Sequence, residues 1–379
     1  MLGSIYWQLS SFYWFYFATL GALIPFLGLY LESLGFNTAE IGELIAVVMG
    51  TKIIAPNMWG WLVDRGGCQR LLIIRLGALL SALFFVGFFI NHQYWWLFII
   101  LLAFSFFWNA ILPQFEALTL NHLGDDHHRY SLIRLWGSIG FIVTVFLLGW
   151  LFNHISIANL PWFILILLLG IFITTFFMPD KGCIHIDREH EPLRKLMAKP
   201  EIIALFGVCF LVQASHGPYY SFFSIYASEH DYSNSYIGLL WALGVMSEVV
   251  AFTLMPKWIQ QFGLRKLLLF SLFTGSLRWI VIAFYIDVPW VLTLNQVLHA
   301  STFGIYHVVV IALVHRYFVG KNQGMGQSLY SSLSFGLGGA IGSLYAGYIW
   351  ELSGPVAMYL FAAGISLVGF IVSYKYTKI

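Results

Sequence analysis

The sequence predicts an all-α integral membrane protein, with twelve transmembrane helices in two six-helix halves and both termini cytoplasmic. Three observations predict it. Apolar residues make up 60% of the 379 and charged residues 9%, against about a quarter charged in soluble domains. The apolar residues are gathered in runs of membrane length, and the lysines and arginines collect in every second connection between those runs. A water-surrounded chain of this size has no interior large enough to hide so much apolar surface, whereas a lipid-embedded one need not hide it.

A spanning helix needs about 20 mostly apolar residues. Runs of that kind cover roughly 6–31, 41–62, 70–90, 95–120, 130–152, 161–178, 201–227, 236–258, 266–286, 290–316, 324–350 and 355–375. The first is long and lacks an A-x-A-like exit, so it is expected to be a retained anchor rather than a cleaved signal. Connections are short except for residues 179–200, which hold nine charged side chains and mark the expected boundary between a half at 1–178 and a half at 201–379. Arg65, Arg70, Arg129, Lys257, Arg265, Lys266, Arg316, Lys321, Lys375 and Lys378 lie on the same side as that loop. The alternate connections contain no lysine or arginine, and the positive-inside rule then places both termini in the cytoplasm.

The halves repeat. Gly35-Phe36-Asn37-Thr38-Ala39-Glu40-Ile41-Gly42 resembles Asp231-Tyr232-Ser233-Asn234-Ser235-Tyr236-Ile237-Gly238, and Gly67-Cys68-Gln69-Arg70-Leu71-Leu72 matches Gly263-Leu264-Arg265-Lys266-Leu267-Leu268. Both matches share one offset of 196 residues. An even number of helices per half makes the repeat parallel, as in transporters whose halves rock about a site at the bilayer midplane. Gly137 and Gly140, and the glycines of run 324–350, suit close helix packing. Pro25, Pro56, Pro113, Pro218 and Pro256 mark bends that neighbouring groups must satisfy.

Gly60-Trp61-Leu62-Val63-Asp64-Arg65-Gly66-Gly67 resembles the G-x-L-x-D-R-x-G loop of the major facilitator superfamily, and lies between the second and third runs as it does there. The resemblance implies a conformational latch at Gly60, Asp64, Arg65 and Gly67. In the second half Gln260 stands at the position of Asp64, so the latch is one-sided. Within that superfamily the chain is similar, along essentially its whole length, to the lactose-permease-like proton symporters and to the 3-phenylpropionate transporter group. The residues that carry this are Ile133–Ser138, Gln213–Tyr220, Leu243–Val249, Leu298–Phe303 and His307. The resemblance implies that Glu116 and Arg134 contact substrate, and that His299 belongs to the proton-handling helix. The glutamate that follows that histidine by three positions in lactose permease is Thr302 here, so the proton relay does not transfer whole. Run 130–152 lacks the proline of the drug-exporter branch.

The charges inside the runs point the same way. Lys52, Glu248 and Arg278 fall near mid-depth, and Glu116 and Arg134 close to the ends of consecutive runs. A charge in hydrocarbon costs about 2.5–3.5 kcal/mol even on the lenient scale. One alternative is a structural network such as Glu248 with Arg278. Another is that Glu116 and Arg134 form a surface pair. Three cations face two carboxylates, which leaves one cation for a bound organic anion, or else Lys52 loses its proton. Arg134 or Arg278 is expected to hold a monocarboxylate, with Lys52, Glu116, Tyr219 and Tyr220 as further substrate contacts, the last two stacking on an aromatic ring. Candidates for proton coupling are Glu116, Glu248, His299 and His216, although each histidine alone also fits a hydrogen-bonded packing role.

The expected function is proton-coupled import of an aromatic monocarboxylate such as 3-phenylpropionate. An oligosaccharide or nucleoside symporter, a non-transporting membrane sensor and a membrane enzyme are the alternatives. The sequence shows no nucleophile–base set for an enzyme, and its longest loop is too short for a sensor's soluble output domain. Expected partners are a small-molecule substrate, H⁺ and the lipid bilayer of a bacterial inner membrane. The protein is expected to act as a monomer, with no cofactor, no metal and no nucleic acid. His127-His128 has no further ligand at zinc spacing, and Cys68, Cys183 and Cys209 are too scattered for a disulfide framework.

Overall fold

The apolar runs are helices in the structure, a computed structural model that describes residues 2–65, 69–124, 126, 129–178, 196–319 and 322–377. Among these residues there is no β-strand. The helices are α1 (Leu2–Ser33), α2 (Thr38–Arg65), α3 (Arg70–Phe85), α4 (Tyr94–Leu123), α5 (Tyr130–Leu151) and α6 (Leu160–Thr174), then α7 (Pro200–Glu229), α8 (Asn234–Tyr285), α9 (Pro289–Val297), α10 (Tyr306–Tyr317), α11 (Asn322–Ser331) and α12 (Gly339–Tyr376). A π-helix, Ala300–Ile305, joins α9 to α10, and a second, Ser332–Gly338, joins α11 to α12.

Nine helical stretches among the described residues are long and apolar enough to cross a membrane. Two of these, Asn234–Tyr285 and Gly324–Tyr376, have 52 and 53 residues, about twice the length that one crossing needs. Each is broken inside by one glycine at positive φ, Gly263 at 75° and Gly354 at 82°, a conformation in which a Cβ is disfavoured. The hydropathy pattern predicts a connection over 259–265. The structure keeps Ile259–Phe262 helical and turns the chain at Gly263 alone. α2, which carries Glu40, Glu43, Lys52, Asp64 and Arg65, is not among the nine.

The chain divides into two compact units. One comprises Met1–Phe36, Val47–His185 and Ser233–Ala242, the other Asn37–Ala46, Ile186–Tyr232 and Leu243–Ile379. In the first unit α1 lies against α5 with almost no side chain between them. A Cβ on Gly140 would stand 2.4 Å from the Trp14 carbonyl oxygen, and one on Gly21 2.8 Å from that of Phe141. Stacked rings fill the α1–α4 seam, Phe12 on Phe115 at 3.6 Å and Tyr16 on Trp108 at 5.0 Å. α2 and α4 are joined by polar contacts, as Asn109 donates to the Val48 carbonyl at 3.0 Å and to Thr51 at 2.8 Å, and Thr51 donates to Ser105 at 3.0 Å. Small residues and interhelical hydrogen bonds replace the hydrophobic drive that lipid does not supply.

The second unit repeats the close pairing of the first and fifth runs of a half. A Cβ on Gly217 of α7 would lie 2.2 Å from the Gly342 backbone of α12, and one on Gly338 2.7 Å from the Phe210 carbonyl oxygen. Each unit also uses an arginine to close a helix end. Arg75 donates to the Thr175 carbonyl through Nε at 3.3 Å and Nη2 at 3.1 Å, and lies 5.5 Å from the Phe176 ring. Arg265 donates to the Tyr374 carbonyl at 2.8 Å and lies 5.4 Å from that residue's ring. Helix C-termini leave carbonyls unpaired and carry partial negative charge, and both arginines answer both needs.

Of the expected latch, Gly60 and Arg65 lie in the last two turns of α2, and the Arg65 guanidinium covers the Trp61 ring at 4.2 Å. Gly67 and the side chain of Asp64 lie outside the described residues, as do His127, His128, Cys68 and Cys183.

Candidate functional site

Arg278 is the centre of the second unit's polar cluster. It sits in α8 beyond the Gly263 break, and its side chain is fully buried. Nη1 donates to His299 Nδ1 at 3.0 Å and to Thr302 Oγ1 at 3.1 Å, and Nη2 donates to Gln296 Oε1 at 3.1 Å. The same Gln296 oxygen accepts from the Tyr219 hydroxyl at 2.9 Å. The guanidinium lies 4.1 Å from the Tyr219 ring and 4.8 Å from the Trp279 ring, contacts that stabilise a desolvated cation by about 2 kcal/mol. No carboxylate of the described residues lies within 4.0 Å of it. The direct Glu248–Arg278 bridge considered as a structural network is therefore not formed.

His299 stands between them. Its Nε2 lies 3.7 Å from Glu248 Oε2, an ion-pair distance longer than a hydrogen bond. A guanidinium has donors only, so His299 Nδ1 must present its lone pair to Arg278, and the ring proton must sit on Nε2, facing Glu248. The result is a chain Arg278–His299–Glu248 that ties α8 on both sides of its break to the segment around the first π-helix. His216 of α7 is also buried, with Nδ1 donating to the Val212 carbonyl at 2.7 Å, and its ring lies edge-on to Trp279 at 4.9 Å. Among the described residues its Nε2 has no hydrogen-bond partner, and neither do Arg278 Nε, Gln296 Nε2 and Trp279 Nε1. Tyr219 is buried, while Tyr220 is partly exposed beside His216, with ring centroids 5.7 Å apart.

The first unit holds the other charges, and they are arranged differently. Arg134 of α5 is partly buried, with its guanidinium 3.7 Å from the Phe17 ring and 5.7 Å from Tyr13. Glu116 of α4 accepts from the Tyr130 hydroxyl at 3.3 Å. No ion pair within 4.0 Å joins Arg134 to Glu116, although each lies near enough to feel the other's charge; Arg134 lies against Phe17, and Glu116 accepts from Tyr130. Gly137 makes the seat of Arg134 possible, since a Cβ there would lie 2.8 Å from both Arg134 Nη1 and the Phe17 ring. Lys52 of α2 is partly buried, and its Nζ lies 3.6 Å from Met49 Sδ, with no carboxylate of the described residues within 4.0 Å.

Sequence reasoning singled out Arg278, His299 and Glu248, which the fold brings together, and Arg134 and Glu116, which it leaves without an ion pair within 4.0 Å. It missed Gln296, Trp279 and Phe17. Gln296 precedes His299 by three positions, one helical turn on the same face, and that spacing was the available signal. Among the described residues no group of three or more His, Cys, Asp or Glu side chains is placed to hold a metal ion.

A buried arginine held by neutral acceptors and a histidine–carboxylate pair in the second unit, and an arginine against a phenylalanine ring in the first, lie within membrane-length helices, where charged side chains are rare. The profile of the MFS_1 like family matches residues 6–361. The chain belongs to that family, within the major facilitator superfamily. It is 28% identical over 376 residues to a probable 3-phenylpropionic acid transporter of Escherichia coli (strain K12), covering 96% of this chain and 95% of the relative. It is 28% identical over 369 residues to the maltose permease of Geobacillus stearothermophilus, covering 95% and 92%. A mutant form of the nucleoside transporter NupG superposes with a TM-score of 0.83 over 99% of this chain and 100% of its own, at 17% identity, a likeness of fold. MFS_1 like membership makes the protein a multi-pass membrane protein of a transporter family.

Proposed function

We propose that this protein imports an aromatic monocarboxylate such as 3-phenylpropionate together with H⁺, by alternating access across a bacterial inner membrane. The observation that carries the reading is Arg134. It is a permanently charged side chain in a membrane-length helix, 3.7 Å from the Phe17 ring, with no carboxylate of the described residues within 4.0 Å. Such a cation is stabilised by a bound carboxylate, which accepts two parallel N–H bonds from the guanidinium. Arg278 is spoken for by His299, Thr302 and Gln296, so the substrate's acid group belongs to Arg134, with Lys52 as a second source of positive charge. The relative described as a 3-phenylpropionic acid transporter supports the choice of acid.

Proton coupling falls to Glu248. Its carboxylate faces the His299 N–H, and a proton added there removes the charge that this N–H faces. That loosens the link from α8 to the π-helical segment and to Tyr219 of α7. In this reading there are twelve crossings. The nine apolar stretches supply eleven when those of 52 and 53 residues are divided at Gly263 and Gly354, and α2 is the twelfth. Both termini are cytoplasmic by the distribution of lysine and arginine. The halves 1–178 and 201–379 are the rocking bodies, and the monomer is the working form. The second reading is a neutral, hydroxylated solute, favoured by the maltose permease relative.

Proteoliposomes that hold the full chain and are given labelled 3-phenylpropionate are expected to accumulate it when the lumen is made alkaline, and to lose it when a protonophore is added. Uptake that ignores the pH gradient and follows a Na⁺ gradient removes the proton assignment. Failure to take up the acid, alongside uptake of maltose or a nucleoside, establishes the second reading.

Gly137 supplies a milder test. Gly137→Ala sets a methyl group 2.8 Å from the Arg134 Nη1 and Phe17 ring positions, closer than carbon contacts allow, so the guanidinium must leave the ring. The KM for the acid is expected to rise about tenfold, the loss of roughly 1.4 kcal/mol of carboxylate binding. Melting is expected to fall modestly as well, because the Phe17 ring, also 2.8 Å from the new methyl group, must shift along with the arginine. An unchanged KM removes Gly137 and the Arg134–Phe17 seat from the binding step.

A further inference from the structure

Tyr130 and Arg134 are both on α5, about one helical turn apart, and so share a face of that helix. Glu116 of α4 meets the two side chains differently. The Tyr130 hydroxyl donates to Glu116 Oε1 at 3.3 Å, whereas Arg134 makes no ion pair with Glu116 within 4.0 Å. The guanidinium leans along α5 towards the C-terminal end of the helix. A Cβ on Gly137 would lie 2.8 Å from Arg134 Nη1, and the Phe17 ring of α1 lies 3.7 Å from the guanidinium. The residue that anchors the carboxylate and the glycine that seats the guanidinium are thus about two turns of α5 apart. Tyr13 of α1 packs beside both, with its ring 6.4 Å from that of Tyr130 and 5.7 Å from the guanidinium.

A carboxylate and a guanidinium suit one another in charge and in bidentate geometry. Here each feels the other's charge, and the pair is still not made. Among the described residues Tyr130 supplies the hydrogen bond to Glu116, and nothing else does. Without that hydroxyl the carboxylate is left with no donor, which is costly for a charge away from water. The cation available to it is Arg134.

We propose that Tyr130 is a positioning residue, which holds Glu116 away from Arg134 and so keeps the guanidinium open to the carboxylate of the solute. The assignment rests on the reading of Arg134 as the cation that binds the acid. It adds the side chain that stops the protein's own carboxylate from taking the solute's place. At 3.3 Å the bond is longer than usual for O–H···O, so its effect belongs at the lower end of the range for a hydrogen bond to a charge, about tenfold in affinity.

The test is a double-mutant cycle on the full-length protein with Tyr130→Phe and Glu116→Gln, read in two ways. The first needs no substrate, and follows by mass spectrometry the rate at which phenylglyoxal modifies Arg134 in the purified protein. An ion-paired guanidinium reacts more slowly than an open one. Tyr130→Phe is expected to slow modification about tenfold when residue 116 is native. In the Glu116→Gln background it is expected to have no effect, because a neutral amide forms no ion pair. The second readout is the KM for 3-phenylpropionate uptake into proteoliposomes. Tyr130→Phe is expected to raise it about tenfold in the native background, and by less than about twofold in the Glu116→Gln background. Tyr130→Met takes the place of the phenylalanine variant if that does not elute as a single folded species. Slowed modification that Glu116→Gln relieves, in a protein whose wild type does not take up the acid, upholds the restraint on Glu116 and overturns the acid reading. The assignment is overturned if phenylglyoxal fails to modify Arg134 in the wild type, or if Tyr130→Phe leaves either the rate or a measurable KM unchanged. It is equally overturned if either loss persists in the Glu116→Gln background, since Tyr130 then acts by packing or by touching the solute itself.

Discussion

Arg134→Gln is expected to raise the KM for 3-phenylpropionate about 100-fold while leaving the protein folded. A hydrogen bond to a charged group contributes about 1.5–3 kcal/mol, and roughly 2.7 kcal/mol corresponds to two decades in binding. Folding is spared because Arg134 makes no ion pair within 4.0 Å and its contacts are with the faces of Phe17 and Tyr13, a surface on which a glutamine also rests. Arg134→Lys is expected to recover only part of the loss. An ammonium ion cannot offer two parallel N–H bonds to a carboxylate, nor lie flat on a ring as a planar guanidinium does. The measurement is initial-rate uptake of the labelled acid at graded concentrations. A KM for Arg134→Gln within a factor of two or so of the wild type would falsify the assignment of the carboxylate to Arg134.

The second large effect separates coupling from passage. Glu248→Gln abolishes accumulation driven by a pH gradient but preserves exchange of labelled for unlabelled substrate. For one proton per substrate, a gradient of two pH units sustains about 100-fold accumulation, since each unit is worth about 1.4 kcal/mol. The variant should equilibrate at a ratio near one. Glutamine keeps an oxygen acceptor opposite the His299 N–H, which lies 3.7 Å from the native carboxylate, so the chain Arg278–His299–residue 248 stays connected. What is lost is the group that changes charge. Accumulation that survives the substitution moves the proton site elsewhere, with Glu116, which accepts from Tyr130, the next group to test.

Much of the fold was readable because membrane length and apolar content are properties of a continuous stretch. The runs at 70–90 and 130–152 correspond to Arg70–Phe89 and Tyr130–Leu151. Helix ends inside polar segments were less readable. Ile259–Phe262 continue α8 where a connection was expected, and the chain turns at Gly263, which takes a positive φ. The site was half legible. An intramembrane arginine or histidine is conspicuous singly, and Arg278 and His299 were found that way. Their 3.0 Å contact joins residues 21 apart on different helices, and no periodicity within one helix announces a contact with another. The separation of Glu116 from Arg134 was likewise hidden. Their spacing places them on consecutive helices, but only packing decides that one meets Tyr130 and the other Phe17. Phe17 is one of 35 phenylalanines, and nothing local distinguishes it.

The two compact units do not follow the chain as two uninterrupted blocks. Asn37–Ala46 belongs to the second unit and Ser233–Ala242 to the first, and each end of one segment is 196 residues from the matching end of the other, the interval of the internal repeat. Within the second unit, Thr38 donates to Glu351 at 2.6 Å, Tyr348 donates to Glu43, and Gly42 lies against Ser343 and Gly347. Within the first, Asn234 donates to the Phe152 carbonyl at 3.1 Å, and Gly238 lies against Val145 and Gly149. The two ten-residue segments, one repeat interval apart, are thus built into their units in the same way. A chain severed at the central loop would yield two fragments, each missing a piece that only the other encodes, and they would need to be made together to complete either one. A bulky side chain at Gly42 is, by the same logic, an injury to the carboxy-terminal fold inflicted from the amino-terminal sequence.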